Sequence, residues 1–307
     1  MTTGSAGAGT LTEHGTQVAK AVALLLGAIL CFDAMSILVR ILSDHYSPAE
    51  LSAYRNVVGV LPSLALLVYT GELSFRKGAF RIEQWPLAIL RGIAVACAQW
   101  SFYGALAVLE IATVSALSQI NAVFVVLLSI VVLGEKVGPW RWLAVGLGFA
   151  GALMILKPGS DAFSWYALLP ILAAACYAFS MVTVRKFTPE TSNAMIYLYS
   201  SAAAAVGAVI LAGFTTEFSP IRGWVDLALV LAMGIIGGTG VLIMMLAYRM
   251  AAAAVLAPFT YFSLLTAFLV GWIVFGEFPV EKLFPGVLLI VVAGGVIMWR
   301  ENRARGA

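Results

Sequence analysis

An ionisable side chain in the middle of a long apolar run destabilises the chain, by about 2.5–3.5 kcal/mol at the centre of a membrane-spanning helix. Such residues are therefore the first candidates for chemistry. Asp33 lies in the apolar run 20–42 and Arg55 in the run 48–70. At 1.5 Å per helical residue, Asp33 sits about 20 Å from the start of its run and Arg55 about 10 Å from the start of the next. In an apolar layer about 30 Å thick, two antiparallel runs carry these residues to the same depth. The expectation is an Asp33–Arg55 ion pair, acting either as a gate or clamp for a substrate carboxylate or ammonium, or as a static clip between helices. Arg40 shares a helical face with Asp33 and Ser36, and at the end of its run it is expected to snorkel to the interface. Arg91, about 9 Å from the start of its run, has the same expectation.

Aromatic and polar side chains form a second set. Gln99, Trp100 and Tyr103 fall in the run 85–109, Trp165 and Tyr177 in 164–187, Tyr248 at the end of 223–250, and Tyr261 in 251–275. The tips of Trp100, Tyr103 and Tyr177 lie at mid-depth, away from the interfacial belts that Trp and Tyr favour. A polar tip at that depth needs a partner or a wet cavity, and Gln99, Ser118, Gln119, Asn121 and Thr260 can supply hydrogen bonds. The expected substrate-binding set is thus Asp33, Gln99, Trp100, Tyr103, Gln119, Trp165, Tyr177, Tyr248 and Tyr261 around an apolar pocket with few fixed polar groups. For each residue alone, ordinary helix packing is the alternative. Trp165, like Trp85, also fits an interfacial belt.

The elements that must position these residues follow from composition. Of 307 residues, 62% are hydrophobic and 11% charged, with mean hydropathy +0.99. That balance cannot cover a soluble globule, which excludes a soluble enzyme, a nucleic-acid binder and a disordered chain. The net charge of +3 is too small to suggest a polyanionic partner. The fold class expected is all-α integral membrane. Ten spans fit the sequence, at 20–42, 48–70, 85–109, 111–133, 139–156, 164–187, 190–213, 223–250, 251–275 and 282–299, with polar tails at 1–17 (expected disordered) and 301–307. With both termini inside, 12 Lys and Arg residues fall on the inner side and four on the outer. The positive-inside rule thus supports both termini cytoplasmic.

Shifting the first half by 145 residues matches Leu24/Leu169, Ala28/Ala173, Cys31/Cys176, Val39/Val184 and Arg40/Arg185. A shift of 142 matches Ala112/Ala254, Leu127/Leu269, Val132/Val274, Gly134/Gly276 and Glu135/Glu277, and a shift of 141 aligns Ser47-Pro48 with Thr188-Pro189. These blocks imply two repeats, 18–157 and 158–300. Five spans per repeat invert the second copy, the architecture of many secondary transporters, whose site lies near the midplane between repeats. Glu135 and Glu277 occupy matched span ends, where capping and packing are expected and gating is the alternative.

The span ends Val131-Val132-Leu133-Gly134-Glu135 and Ile273-Val274-Phe275-Gly276-Glu277, with Ala257-Pro258 and Tyr54-Arg55, resemble the drug/metabolite transporter superfamily, in its ten-span EamA-type branch. The resemblance covers essentially the whole chain. Ala116 stands where the repeat places Pro258, which predicts a straighter fourth span. The resemblance implies a bacterial inner-membrane transporter of small organic metabolites, often an amino-acid exporter. The Trp and Tyr content points to the aromatic amino-acid exporters within it. Import of a cofactor-like metabolite and proton-coupled export of cationic drugs are the alternatives, the latter resting on Asp33.

Several features carry other readings. Gly146-Leu147-Gly148-Phe149-Ala150-Gly151 matches a dinucleotide fingerprint, but lacks the strand–turn–helix setting that gives the fingerprint its chemistry. Close helix packing through small residues is expected there. The cysteines, Cys31, Cys97 and Cys176, have no metal-ligand spacing, and the histidines, His14 and His45, fall outside the spans. An intramembrane metalloenzyme or paired-Asp protease is therefore poorly supported, and no cofactor or metal is expected. A channel remains a rival. The partners expected are a small-molecule substrate and the lipid bilayer, with no nucleic acid, in a monomer or homodimer.

Overall fold

The computed structural model describes residues 6–69, 83–134, 138–156, 164–188, 191, 193–250, 256, 259–277 and 280–305. These residues are helical throughout, joined by turns: α1 (Ala6–Leu42), α2 (Pro48–Tyr69), α3 (Trp85–Leu106), α4 (Ile111–Ser118), α5 (Asn121–Leu133), α6 (Pro139–Leu156), α7 (Leu168–Thr183), α8 (Asn193–Thr215), α9 (Trp224–Met250), α10 (Phe262–Phe275) and α11 (Gly286–Arg305). With α4 and α5 taken as one segment, this order gives the ten segments expected. Five segments are apolar and long enough to cross a membrane, and three shorter apolar helices accompany them among the described residues. α1 starts at Ala6, upstream of the expected start at residue 20, and α11 runs on to Arg305.

The expectation drawn from Ala116 compares the fourth segment with a counterpart whose Pro258 lies outside the described residues, but the fourth segment has an interruption of its own. It breaks between Ser118 and Asn121, where Ile120 N–H donates to Leu117 O at 3.2 Å and Val123 N–H to Ile120 O at 2.9 Å. These i→i−3 bonds tighten the helix locally. The Ser118 hydroxyl donates back to Val114 O at 2.7 Å, a contact that bends helices without any proline. The ninth segment breaks at Tyr261, where Leu264 N–H donates to Tyr261 O at 3.0 Å. Both half-helices that follow end on a left-handed glycine, Gly134 at φ 69° and Gly276 at φ 68°, a conformation that carries little strain only without a Cβ.

The main packings between the halves map onto one another when the halves are exchanged. α1 packs on α9 as α7 does on α3; α2 packs on α9 as α8 does on α3; α5 packs on α7 as α10 does on α1. α2 with α8, α6 with α11, and α4 with α10 are the self-matched pairs. The fold is all-α, with two inverted five-segment halves. Small residues bring the helices together: a Cβ on Gly151 of α6 would lie 2.6 Å from Gly286 O of α11. Gly148 likewise packs closely on Val123 of α5, whereas a Cβ on Gly146 would meet nothing within 4 Å, so close packing accounts for two of the three glycines in 146–151.

Candidate functional site

The deepest polar side chains form a connected chain across α2, α3 and α7. Arg55 is 8% exposed; its Nη2 donates to Gly237 O of α9 at 3.2 Å and its Nη1 to Asn56 Oδ1 at 3.4 Å. Asn56 Nδ2 donates to Ser52 O at 2.7 Å and to Gln99 Oε1. Gln99 also interacts electrostatically with Tyr177, and Arg55 with Tyr103. The Tyr103 hydroxyl also meets Met35 Sδ at 3.6 Å. Gly237 makes this approach possible: a Cβ there would lie 3.2 Å from Arg55 Nε and 2.5 Å from Met35 Sδ.

Asp33 does not pair with Arg55. Arg40 and Glu277 do form an ion pair. The reason is angular: residues advance about 100° around a helix, so Asp33 and Met35 differ by about 200°. Met35 shares the Gly237 surface with Arg55, which turns Asp33 to the opposite face of α1. There Asp33 is 9% exposed beside Thr266 of α10. Asp33 Oδ2 and Arg55 Nε are both buried and have no hydrogen-bond partner among the described residues. The sequence carries an expectation of equal depth, but the rotational phase of α1 against its neighbours was not legible in it.

The other candidates divide. Gln99, Tyr103 and Tyr177 belong to the polar chain. Gln119 stands at the break of the fourth segment and donates to Ser263 Oγ at 2.8 Å and Thr260 O at 3.5 Å, which ties it to the break of the ninth. Asn121 Nδ2 donates to Ala174 O of α7 at 2.9 Å. Trp100 instead packs among Ala49, Ala53, Ala96, Ala208 and Ala212. Trp165 is 75% exposed at the start of the sixth segment, as an interfacial residue would be. The Tyr261 hydroxyl fills the space that a Cβ on Gly294 would take, against α11. The Tyr248 side chain and Glu135 lie outside the described residues. Asn56 and Thr266 were missed; their signal was a polar residue beside Arg55 and one in an apolar half-helix.

Arg91 does not snorkel. Its Nε donates to Ser180 O and its Nη1 to Ser200 Oγ, each at 2.9 Å, so it joins α3 to α7 and α8. An apolar cleft of about 430 Å³ opens between α3, α5 and α7, lined by Ala94, Phe124, Leu127, Leu128, Val131, Ala175, Cys176 and Phe179. Among the described residues no group of three or more His, Cys, Asp or Glu could hold a metal ion.

The face bearing the 43–47 turn, the expected outer face, is closed by hydrogen bonds between the halves. Tyr46 donates to Asp226 Oδ2 at 2.7 Å and accepts from Arg222 N–H at 3.1 Å. Burial raises the Tyr46 phenol above its ordinary pKa, so it stays a neutral donor. Glu50 accepts from Ser47 N–H at 2.7 Å and from Ser219 N–H at 2.5 Å. Arg40 and Glu277 meet at 3.1 Å on the same face.

Residues 19–157 match the sequence profile of the EamA-like transporter family. A riboflavin transporter of Rhizobium johnstonii is 33% identical over 219 residues, 70% of each chain. An S-adenosylmethionine uptake transporter of Rickettsia bellii is 24% identical over 90% of this chain and 92% of that one. A pseudopaline exporter of Pseudomonas aeruginosa is 29% identical over 89% and 93%. A solved crystal structure, 19% identical, superposes with a TM-score of 0.60 over 93% of this chain and 99% of the other, which supports the fold.

Proposed function

The chain belongs to the EamA-like transporter family, small-molecule transporters of the membrane, and we propose that it moves small amphoteric organic metabolites by alternating access around the buried polar chain. The observation that carries this reading is that two of the three buried side-chain atoms without a partner among the described residues, Arg55 Nε and Asp33 Oδ2, belong to charged groups; the third is Ser101 Oγ. Buried polar groups are normally satisfied, and leaving one without a partner is destabilising. A solute with both an acceptor and a donor group satisfies both. The Arg55 side binds an anionic group, with Asn56, Gln99, Tyr103 and Tyr177 orienting it, and the Asp33–Thr266 side binds a cationic or donor group. The reaction is a translocation, with no bond made or broken.

Amino acids, aromatic or neutral, fit these requirements, and their outward movement is the first reading. The second is uptake of a cofactor-like metabolite. Riboflavin and S-adenosylmethionine, named for two relatives, support it, and S-adenosylmethionine carries both charges. Pseudopaline, named for a third, supports export. The setting we infer is the bacterial inner membrane, both termini cytoplasmic, in a monomer or homodimer.

Counterflow in proteoliposomes tests this, with Phe, Tyr, Trp, Met, Thr, S-adenosylmethionine and riboflavin as labelled solutes. Saturable flux of at least one amphoteric solute is expected, with slower flux of riboflavin, which lacks the paired charges. Flux of riboflavin alone reverses the charge reading, and no flux of any solute overturns the substrate class.

A further inference from the structure

We propose that Arg40 and Glu277 form a latch that holds the face bearing the 43–47 turn shut, and that its parting is a step of the transport cycle. The proposal rests on the alternating-access reading above. Arg40 lies in the last turn of α1 and Glu277 directly after α10, so the pair joins the two halves. Neither residue spends its contacts on its partner alone. Glu277 Oε2 accepts from Ile111 N–H at 3.0 Å. Ile111 is the first residue of α4, whose N-cap residue Glu110 makes no side-chain cap bond. Glu277 therefore caps a helix of the other half, with a negative charge at the positive end of the helix dipole. Arg40 Nη1 donates to Leu106 O at 2.5 Å and also to Leu109 O. These carbonyls close the C-terminal end of α3, where a cation is favoured. One ion pair thus ties together the ends of α1, α3, α4 and α10.

The backbone aims the carboxylate. Left-handed Gly276 reverses the chain after α10, and Glu277 N–H donates to Gly271 O at 2.9 Å. The Phe275 ring lies 5.8 Å from the Arg40 guanidinium. Burial is intermediate, with the Arg40 side chain 24% and the Glu277 side chain 12% exposed. Fully exposed pairs hold little, and fully buried pairs lose much when one partner leaves. A pair between those limits holds closed yet hydrates as it parts. Ser36 lies one helical turn below Arg40, and Asp33 nearly two, both buried. The latch therefore covers the approach to Asp33 from this face.

The test uses full-length protein with Cys31, Cys97 and Cys176 replaced by Ala, and Ser36→Cys as the reporter. An impermeant maleimide is applied to intact cells and to inside-out vesicles. His45→Cys, in the exposed turn, marks which preparation presents this face. The parent should label slowly. Glu277→Gln should raise labelling from this face alone by roughly tenfold, a shift of about 1.4 kcal/mol in the closed–open equilibrium. Labelling unchanged from the parent, or raised equally from both faces, overturns the latch. In a second arm, Arg40→Cys with Glu277→Cys is joined by a short reducible bis-thiol cross-linker. Flux of each solute above should fall at least tenfold and return on reduction. Cross-linked protein that transports at the uncross-linked rate overturns the proposal even if Glu277→Gln misfolds. If no solute is carried, the substrate reading fails while the labelling arm still decides the latch.

Discussion

The two halves share their mechanics but not the buried charges Asp33 and Arg55. The break at Gln119 and the break at Tyr261 stand 142 residues apart, as do the left-handed glycines Gly134 and Gly276. The main helix packings between the halves have mirrored partners, while the packing of α2 on α3 has none of similar extent between α8 and α9. The buried ions have no such partners: the shift that aligns the first and sixth segments sets Asp33 against buried Ala178, and the shift that aligns the second and seventh sets Arg55 against buried Ile196. A symmetric frame with asymmetric chemistry suits a transporter in this reading. The frame must close at either face with equivalent contacts, whereas the solute needs to be recognised once.

The sharpest way to break this contrast is at its charges. Arg55→Leu should reduce initial flux about a hundredfold or more, because it removes the anion partner and strands Asn56 and Tyr103. Ile196→Leu, at the mirrored position, should change flux less than twofold in the same proteoliposome assay. Comparable losses at both positions would erase the asymmetry. Asp33→Asn should lower flux about tenfold for amphoteric solutes and much less for their deaminated analogues, measured as relative initial rates. Unchanged flux across pH in Asp33→Asn would also exclude proton coupling through this carboxyl.

The shared mechanics predict matched, smaller effects. Gly134→Ala and Gly276→Ala should each destabilise the protein by about 1–2 kcal/mol, read as similar falls in Tm in detergent, because each imposes a Cβ on a left-handed residue. A loss at one position only would separate the two half-helices. Smallest is the link between the breaks. Gln119→Leu and Ser263→Ala should each lower stability by about 0.6 kcal/mol, and the double variant by less than their sum, since both remove one interhelical hydrogen bond. A double-mutant cycle with no coupling would disconnect the breaks.

Much of the frame was legible in the sequence, because membrane spans depend on length and hydropathy, and the repeat preserves residues in register. Gly134 and Gly276 were visible as matched glycines before their backbone angles were known. The site was legible only in part. Gln99, Tyr103 and Tyr177 were readable as polar tips at mid-depth. Trp100 has the same signal, yet it packs on alanines, since depth does not reveal which neighbour a side chain meets. Tyr261 likewise turns to Gly294. Arg40 and Arg91 sat near span ends, where snorkelling is the ordinary outcome, and both were drawn inward by carbonyls or hydroxyls from other helices.

By itself, then, the sequence determined an all-α membrane chain of ten segments in two inverted halves, and it singled out Asp33 and Arg55, though not Glu50, among the buried ions. Hydropathy and periodicity are properties of one segment at a time, so they needed no neighbour. The tertiary structure alone decided the pairings: that Asp33 faces Thr266 and Arg55 faces Gly237, that Glu277 reaches Arg40 and the start of α4, and that Gln119 binds across to Ser263. Each of those depends on the rotation of one helix against another, and a rotation of about 100° per residue turns a one-residue difference into a different partner.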